Sequence, residues 1–338
     1  MLKLSFILPC YNVAPYVGRC IESIEHQDIP QSEYEVICVD DCSKDNTLEV
    51  IREYQKQYPN IRLICHEVNK TAGGARNTGM DAAKGESLWF VDPDDAIVEN
   101  VLGDLTKQIE RLKVDILFFN YNYIDENGKE HAVRQFNGKY DILNGQEFFL
   151  TYCKKKRLAE ITSIWHEVFS ASYLKNKVIR YPEIKSSQDV VFAWHAYLLA
   201  QKVTAIEIIA YNHVRRALST TGSSGKFKAK NVISASILYP CEILKLTQIR
   251  PLAKQFVHDL QFEAQDSVNT DSRKVLKMSK AERKKLYEEM KCHADKVDSL
   301  NQFMNRKTCK IFNYHLPYPL WLMVIWVYMI VGRLNDNR

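Results

Sequence analysis

Four short apolar runs in the first hundred residues, at 2–8, 34–40, 61–67 and 87–92, alternate with helical stretches at 14–27, 46–57 and 74–84. The alternation reads βαβαβαβ. Runs such as Val36-Ile37-Cys38-Val39 are apolar on both faces, as strands must be when helices cover a parallel sheet on each side. The expected fold class is therefore α/β with a doubly wound, mostly parallel sheet, which places ligands at the carboxyl ends of its strands. Polar clusters fall at those ends: Pro9-Cys10-Tyr11-Asn12, Asp40-Asp41-Cys42-Ser43, residues 69–77, and Asp92-Pro93-Asp94-Asp95. Four loops thus face one crevice.

Beyond residue 100 the alternation loosens. The pattern predicts a strand at 115–121, a turn at Glu126-Asn127-Gly128-Lys129, helices at 145–153 and 188–200, strands near 203–213, and a mainly helical region from 229. A chain of 338 residues accommodates one large α/β domain with a substantial appendage. Residues 1–100 hold 9 Lys and Arg against 17 Asp and Glu, a net of −8, so the remainder carries +13. An acidic first part argues against binding a nucleic-acid backbone as the main activity. The nine cysteines are odd in number and scattered, which fits neither a disulfide ladder nor a zinc knuckle and suits a reducing compartment. The first apolar run is broken by Pro9-Cys10-Tyr11-Asn12, too early for a signal peptide, and a cytoplasmic protein is expected.

The sharpest chemical signal is the crowding of Asp92, Asp94 and Asp95 at the end of the fourth run. So much negative charge is unfavourable unless a cation compensates it, and oxygen-rich sites suit Mg²⁺ or Mn²⁺. A helix N-terminus capped by Asp94 and Asp95 explains the same residues equally well. Asp40 and Asp41 close the second run, where a carboxylate can accept from a base N–H or a ribose hydroxyl, while Ser43 or Asp45 caps the next helix. Gly73 and Gly74 permit close backbone approach to a ligand, and Arg76 can pair with a phosphate. The chain has no GxGxxG dinucleotide fingerprint and no GxxxxGK[ST] phosphate loop.

These residues resemble the family 2 glycosyltransferases, which have the GT-A fold. The similarity lies in Phe6-Ile7-Leu8-Pro9-Cys10-Tyr11-Asn12, in Val39-Asp40-Asp41 with Ser43 and Asn46-Thr47, and in Gly74-Ala75-Arg76-Asn77-Thr78-Gly79. Asp92-Pro93-Asp94-Asp95 is similar to the family's Asp-x-Asp motif. The resemblance is strong over residues 1–100, moderate to about residue 222 and absent beyond. It implies a GT-A domain with a donor-binding half at 1–100 and an acceptor-binding half at 101–222, followed by a helical C-terminal region at 223–338. It also implies transfer with inversion from a UDP-sugar to a hydroxyl of a glycan or lipid-linked acceptor, in surface polysaccharide synthesis.

Carried over by position, the resemblance places Pro9, Tyr11 and Asp41 around the uracil, with Asp40 beside it and Arg76 near the base and diphosphate. Asp92 joins the donor site, Asp94 reaches the ribose, and Asp95 with Asp94 holds the Mn²⁺ or Mg²⁺ that bridges the phosphates. Asp189 matches the family's catalytic base, although Gln188 stands where members commonly carry Glu. Trp165 and His166 are similar to an acceptor-side segment, and His213-Val214-Arg215-Arg216 with residues 219–225 is similar to a segment that closes over the diphosphate. Read without the family, Asp189 starts a helix, Trp165 is a core side chain, and His195 is a packed core histidine. The alternative function is a catalytically silent nucleotide-sugar-binding scaffold. A nucleotidyltransferase fits less well, because no Gly-rich, Lys/Arg-bearing loop follows the first strand.

The tail carries twelve apolar residues at 320–331, flanked by Lys307, Lys310 and Arg333. That is short of the roughly 20 residues a membrane span needs. A helix apolar on all sides is buried in protein, in a partner, or partly in a membrane. Trp321, Trp326 and Tyr328, with the basic stretch at 273–291, favour the cytoplasmic membrane interface, with Leu320, Trp321, Leu322, Val324, Ile325 and Trp326 as the inserting side chains.

Overall fold

The computed structural model describes residues 2–125, 129–131, 135–155, 163–214, 228–249, 251–271 and 273–336. Residues 126–128 of the turn expected at 126–129, and all but His213 and Val214 of the closing segment expected at 213–216 and 219–225, lie outside the described residues. The chain forms two units, one of residues 1–183 and 192–219, the other of residues 184–191 and 220–338.

The first unit opens with β1 (Leu4–Cys10), α1 (Ala14–Glu25), β2 (Tyr34–Asp40), α2 (Thr47–Gln57), β3 (Ile61–Cys65), α3 (Thr71–Ala82) and β4 (Ser87–Phe90). Strands β3, β2, β1 and β4 lie side by side and parallel, with β1 and β2 in register from Leu4↔Tyr34 to Cys10↔Asp40. Every residue of β1 and β2 is buried because the period-two alternation serves two covers. Phe6, Leu8, Val36 and Cys38 pack with Val17, Ile21 and Ile24 of α1, whereas Ile37 and Val39 pack with Ala75 of α3. A Cβ on Gly79 would stand 2.4 Å from Ile7 Cγ2, so glycine lets α3 lie directly against β1.

The unit continues through β5 (Ala96–Ile97), α4 (Leu102–Leu112), β6 (Ile116–Ile124) and β7 (Glu130–His131). It then adds α5 (Gly145–Phe148), which runs into a π-helical turn, β8 (Glu167–Ser170), α6 (Ala171–Asn176), α7 (Gln188–Leu199) and β9 (Val203–Val214). Here the sheet becomes mixed. Strand β8 joins β4 antiparallel, β6 joins β8 antiparallel, β9 joins β6 parallel, and β5 joins β9 antiparallel. The expected α/β class with a helical C-terminal region holds, with an unbroken parallel run only through β3-β2-β1-β4. The boundary between the units falls inside α7.

The second unit is helical: α8 (Ala229–Ile233), α9 (Tyr239–Leu246), α10 (Lys254–Asp271), α11 (Arg273–Lys277), α12 (Lys280–Cys292), α13 (Ala294–Ser299), α14 (Arg306–Ile311) and α15 (Tyr318–Asp336). Its core includes Val232, Ile237, Leu286, Met290, Leu300 and Ile311, together with Trp321 and Ile325 of α15. The Trp321 indole N–H donates to the Ile311 carbonyl at 2.7 Å. The tail expectation is therefore corrected for these two side chains, which are core and fully buried. Leu320, Met323, Trp326 and Val327 form the exposed apolar stripe on the other side of α15. Among the described residues no helix is long and apolar enough to cross a membrane.

Candidate active site

Each of the first three strands ends in a loop that turns through a non-glycine residue in the left-handed region: Asn12 (φ 54°), Cys42 (φ 68°) and Thr71 (φ 69°). Such residues concentrate where surrounding structure holds a functional loop in place. Here the first two loops interlock. The first N–H groups of α1, which have no partner within the helix, donate to side chains of the second loop. Asn12 N bonds Ser43 Oγ at 3.0 Å, Val13 N bonds Thr47 Oγ1 at 2.8 Å, and Ala14 N bonds Asp45 Oδ2 at 3.1 Å. Asn12 Oδ1 accepts in return from Lys44 N at 2.7 Å. Asp45 also accepts from Thr47 N, at the start of α2, so the capping expected of it occurs while it ties two loops together. Pro9 is buried at the end of β1, and Tyr11 is 47% exposed beside it.

At the end of β2, Asp40 and Asp41 are 4% and 2% exposed. Asp40 Oδ2 accepts from Ser43 N at 3.3 Å, while its Oδ1 is buried with no partner. Asp41 Oδ1 accepts from Lys70 N at 2.7 Å and faces His66 Nδ1 at 2.7 Å, and its Oδ2 is likewise buried and unpartnered. Asn69 Nδ2 donates to the Asp41 carbonyl at 2.9 Å, and His66 Nε2 meets Thr78 Oγ1 at 2.9 Å. His66, which directly follows β3 within the third expected run, is not singled out by the sequence. Its signal is its place at a strand end, the position that marked the four clusters.

Arg76, on the face of α3 toward the sheet, donates to Asp92 Oδ1 at 2.8 Å, and its guanidinium lies 5.5 Å from the Tyr181 ring centroid. Burial pushes the Asp92 carboxyl up to about 6, against the pull of Arg76 and helped by the charges of Asp95 and Asp94. Asp94 is half-buried, and its carbonyl accepts from Arg19 Nη2 at 2.9 Å. Asp95 has turned inward. It is 1% exposed, its Oδ2 accepts from Tyr211 Oη at 2.8 Å and contacts His213 Nδ1 at 3.1 Å, and its Oδ1 accepts from Val214 N at 2.8 Å. Its two oxygens are occupied by β9, which is the geometry of a structural anchor.

Trp165 is 8% exposed, stacked on Tyr211 (4.8 Å) and His213 (4.9 Å), and its carbonyl accepts from Trp89 Nε1 at 2.7 Å. His166 is 1% exposed among Phe118, Tyr121 and Trp165, and burial pulls its imidazole down to about 3. Neither ring presents an open face to a sugar. His195 is half-buried on α7, as a packing histidine would be.

In the second unit, Asp189 stands in the first turn of α7, half-buried, with Oδ1 accepting from Val190 N at 3.0 Å. Ser187 before it adopts φ 58°, and the loop leading there is held by Ser234, whose Oγ accepts from Lys185 N and Ser186 N at 3.0 Å each. Gln188 is 9% exposed with Oε1 buried and unpartnered. The sequence singled out Asp189 and missed Ser234, whose part depends on a helical turn far along the chain.

For a divalent cation, Asp92 and Asp94 are oxygen donors of the right kind at the end of β4, whereas both oxygens of Asp95 already accept from β9. Among the described residues no group of three or more His, Cys, Asp or Glu could enclose a metal. Two carboxylates still suit Mg²⁺ or Mn²⁺, which complete their shells with water and substrate phosphates.

A sheet that is parallel through β3-β2-β1-β4, with paired carboxylates at two strand ends, is the frame of a GT-A enzyme. The glycosyl transferase family 2 profile matches residues 5–180, and the chain belongs to that family. The poly(ribitol-phosphate) beta-glucosyltransferase of Bacillus spizizenii is 32% identical over 206 residues, covering 60% of this chain and 31% of that protein. The poly(ribitol-phosphate) beta-N-acetylglucosaminyltransferase TarS of Staphylococcus aureus is 28% identical over 246 residues, covering 72% and 41%. This chain thus spans 31% to 41% of the length of these relatives. The crystal structure of S. aureus TarS 1–349 in complex with UDP-GlcNAc superposes with a TM-score of 0.61 at 23% identity, covering 93% of this chain and 87% of that one. That likeness establishes a shared fold.

Proposed function

We propose that this chain transfers a sugar, with inversion, from a UDP-sugar to a hydroxyl of a glycan or lipid-linked acceptor in the synthesis of a cell-surface polymer. The observation that carries the reading is the pair of buried carboxylate oxygens, Asp40 Oδ1 and Asp41 Oδ2, that have no partner among the described residues at the end of β2. Acceptor-only atoms buried without partners are costly, and a base N–H or a ribose hydroxyl would supply the missing donors. The relatives named above are glycosyltransferases of ribitol-phosphate polymers, and TarS has been crystallised with UDP and with UDP-GlcNAc.

In this reading Pro9 and Tyr11 flank the base, and Arg76 steadies negative charge on the donor while keeping Asp92 ionised through their contact. Asp94, with Asp92, would hold Mn²⁺ or Mg²⁺, whose charge favours the departing diphosphate. Asp95 serves behind them by fixing the end of β9. Asp189 would be the base that takes the proton of the acceptor hydroxyl. Trp165 and His166 would support the acceptor side from within the core. Purified chain, screened against a panel of UDP-sugars, should release UDP from one of them with Mn²⁺ or Mg²⁺ present. Full activity in excess chelator would overturn the cation assignment.

The exposed stripe of α15 supports a second element of the reading, attachment to the inner membrane surface. Leu320, Met323, Trp326 and Val327 are 50%, 63%, 62% and 51% exposed, and Lys310 lines the same groove as Met323 and Val327. Partial insertion of such side chains, each worth about 1.5–3 kcal/mol when fully buried, would hold the protein near a lipid-linked acceptor. Replacing these four residues with Ser or Gln while keeping Trp321 and Ile325 should abolish flotation with anionic liposomes and leave UDP-sugar hydrolysis intact. Unchanged flotation would reject the membrane role and leave a protein partner as the occupant of the stripe.

A further inference from the structure

We infer that His66 is a positioning residue that sets the base-recognising carboxylate of Asp41 and so selects uracil over cytosine in the donor; the inference rests on the UDP-sugar reading above. Asp41 is an acceptor whose two oxygens are treated differently by the fold. Oδ1 receives the Lys70 N–H at 2.7 Å from the loop after β3 and faces His66 Nδ1 at 2.7 Å, whereas Oδ2 has no partner. Two contacts on one oxygen pin the carboxylate about its terminal torsion, which is otherwise broad. The other oxygen is then held as an acceptor in a site where the side chain is 2% exposed.

The ring nitrogens of His66 are fixed from both ends. A carboxylate cannot donate, so Nδ1 must carry a proton toward Asp41. In the neutral ring Nε2 is then an acceptor, and the Thr78 hydroxyl 2.9 Å away can supply the donor. Thr78 belongs to α3, the helix that carries Arg76. The chain Thr78–His66–Asp41 therefore joins that helix to the ends of β3 and β2, much as an outer hydrogen-bond partner orients a ligating group elsewhere. Uracil presents a ring N3–H that such an oxygen can accept, whereas cytosine N3 is itself an acceptor and would leave two acceptors facing each other. A site built to bond one donor rejects an analogue lacking it because its own polar atom is left unpaired.

The test is calorimetric titration of the whole chain with UDP and CDP in the presence of Mn²⁺. The unsubstituted protein should favour UDP by at least about tenfold, the scale of one hydrogen bond to a charged group. His66→Phe should weaken UDP binding and collapse the UDP/CDP ratio toward one. His66→Asn, whose amide can donate from near the Nδ1 position, should restore most of the ratio, and Thr78→Val should lower it partway. A folded His66→Phe protein with an unchanged ratio overturns the inference. If that variant does not fold, Thr78→Val and His66→Asn decide the matter, and unchanged ratios in both overturn it. Failure of the unsubstituted protein to distinguish UDP from CDP and ADP overturns the donor reading itself, and the inference with it.

Discussion

Asp189→Asn should lower the rate of sugar transfer by about 10²–10⁴, the usual contribution of a positioned general base, while affinity for UDP stays unchanged. The substitution keeps the shape of the side chain and an oxygen able to accept from Val190 N, so the start of α7 and its Ser234 clamp should persist. What disappears is the capacity to take a proton. Single-turnover rates with a UDP-sugar and a permissive acceptor, alongside calorimetric UDP binding, separate the two effects. Undiminished transfer would remove Asp189 from the reaction. Donor binding without any turnover in the unsubstituted protein would favour the silent scaffold, for which the buried amide of Gln188 already gives some ground.

Asp95→Ala should cost about 1–3 kcal/mol of stability, the range seen when a buried hydrogen-bonding group is left unsatisfied. Tyr211 Oη, His213 Nδ1 and Val214 N would all lose this acceptor, and the buried Tyr211 hydroxyl is out of reach of water that would replace it. Burial pulls the His213 imidazole down, but the hydrogen bond and charge of Asp95 hold it above its ordinary range. Asp95→Asn should lose less, because its carbonyl oxygen still accepts. Denaturant titration of the two variants reads the difference. A loss below about 1 kcal/mol, the level of an ordinary surface change, together with altered Mn²⁺ dependence, would return Asp95 to the metal.

Strands β1, β2 and β4 are legible in the sequence because each residue of those runs has one of two covered faces to fill, and because charged residues mark where the cover ends. Strands β5 and β8 are not legible, since they hold two and four residues and β8 contains a buried Glu167 whose carboxyl burial keeps well above its usual range. The amphipathic α4 was passed over in the same stretch. Within the acidic cluster, spacing alone cannot say which Asp turns inward. That choice is made by Tyr211 and His213, 116 and 118 residues away. The tail poses the same problem: its apolar run is continuous in sequence, and only packing against Tyr287 and Ile311 selects Trp321 as core and leaves Trp326 outside.

The position of β4 in the sheet has a consequence for synthesis on the ribosome. It pairs with β1 on one side and with β8 on the other, and Trp89 donates to the carbonyl of Trp165, 76 residues later. A nascent chain that has emerged only through β4 therefore displays an unprotected strand edge bearing Leu88, Trp89 and Phe90. At about 5–20 residues per second, the gap before β8 appears lasts on the order of 4–15 s. Closure across so long a segment is entropically slow compared with local helix formation. The first hundred residues, although they hold most of the donor site, are thus a poor unit to express alone, and fragments ending before residue 170 should self-associate through this edge.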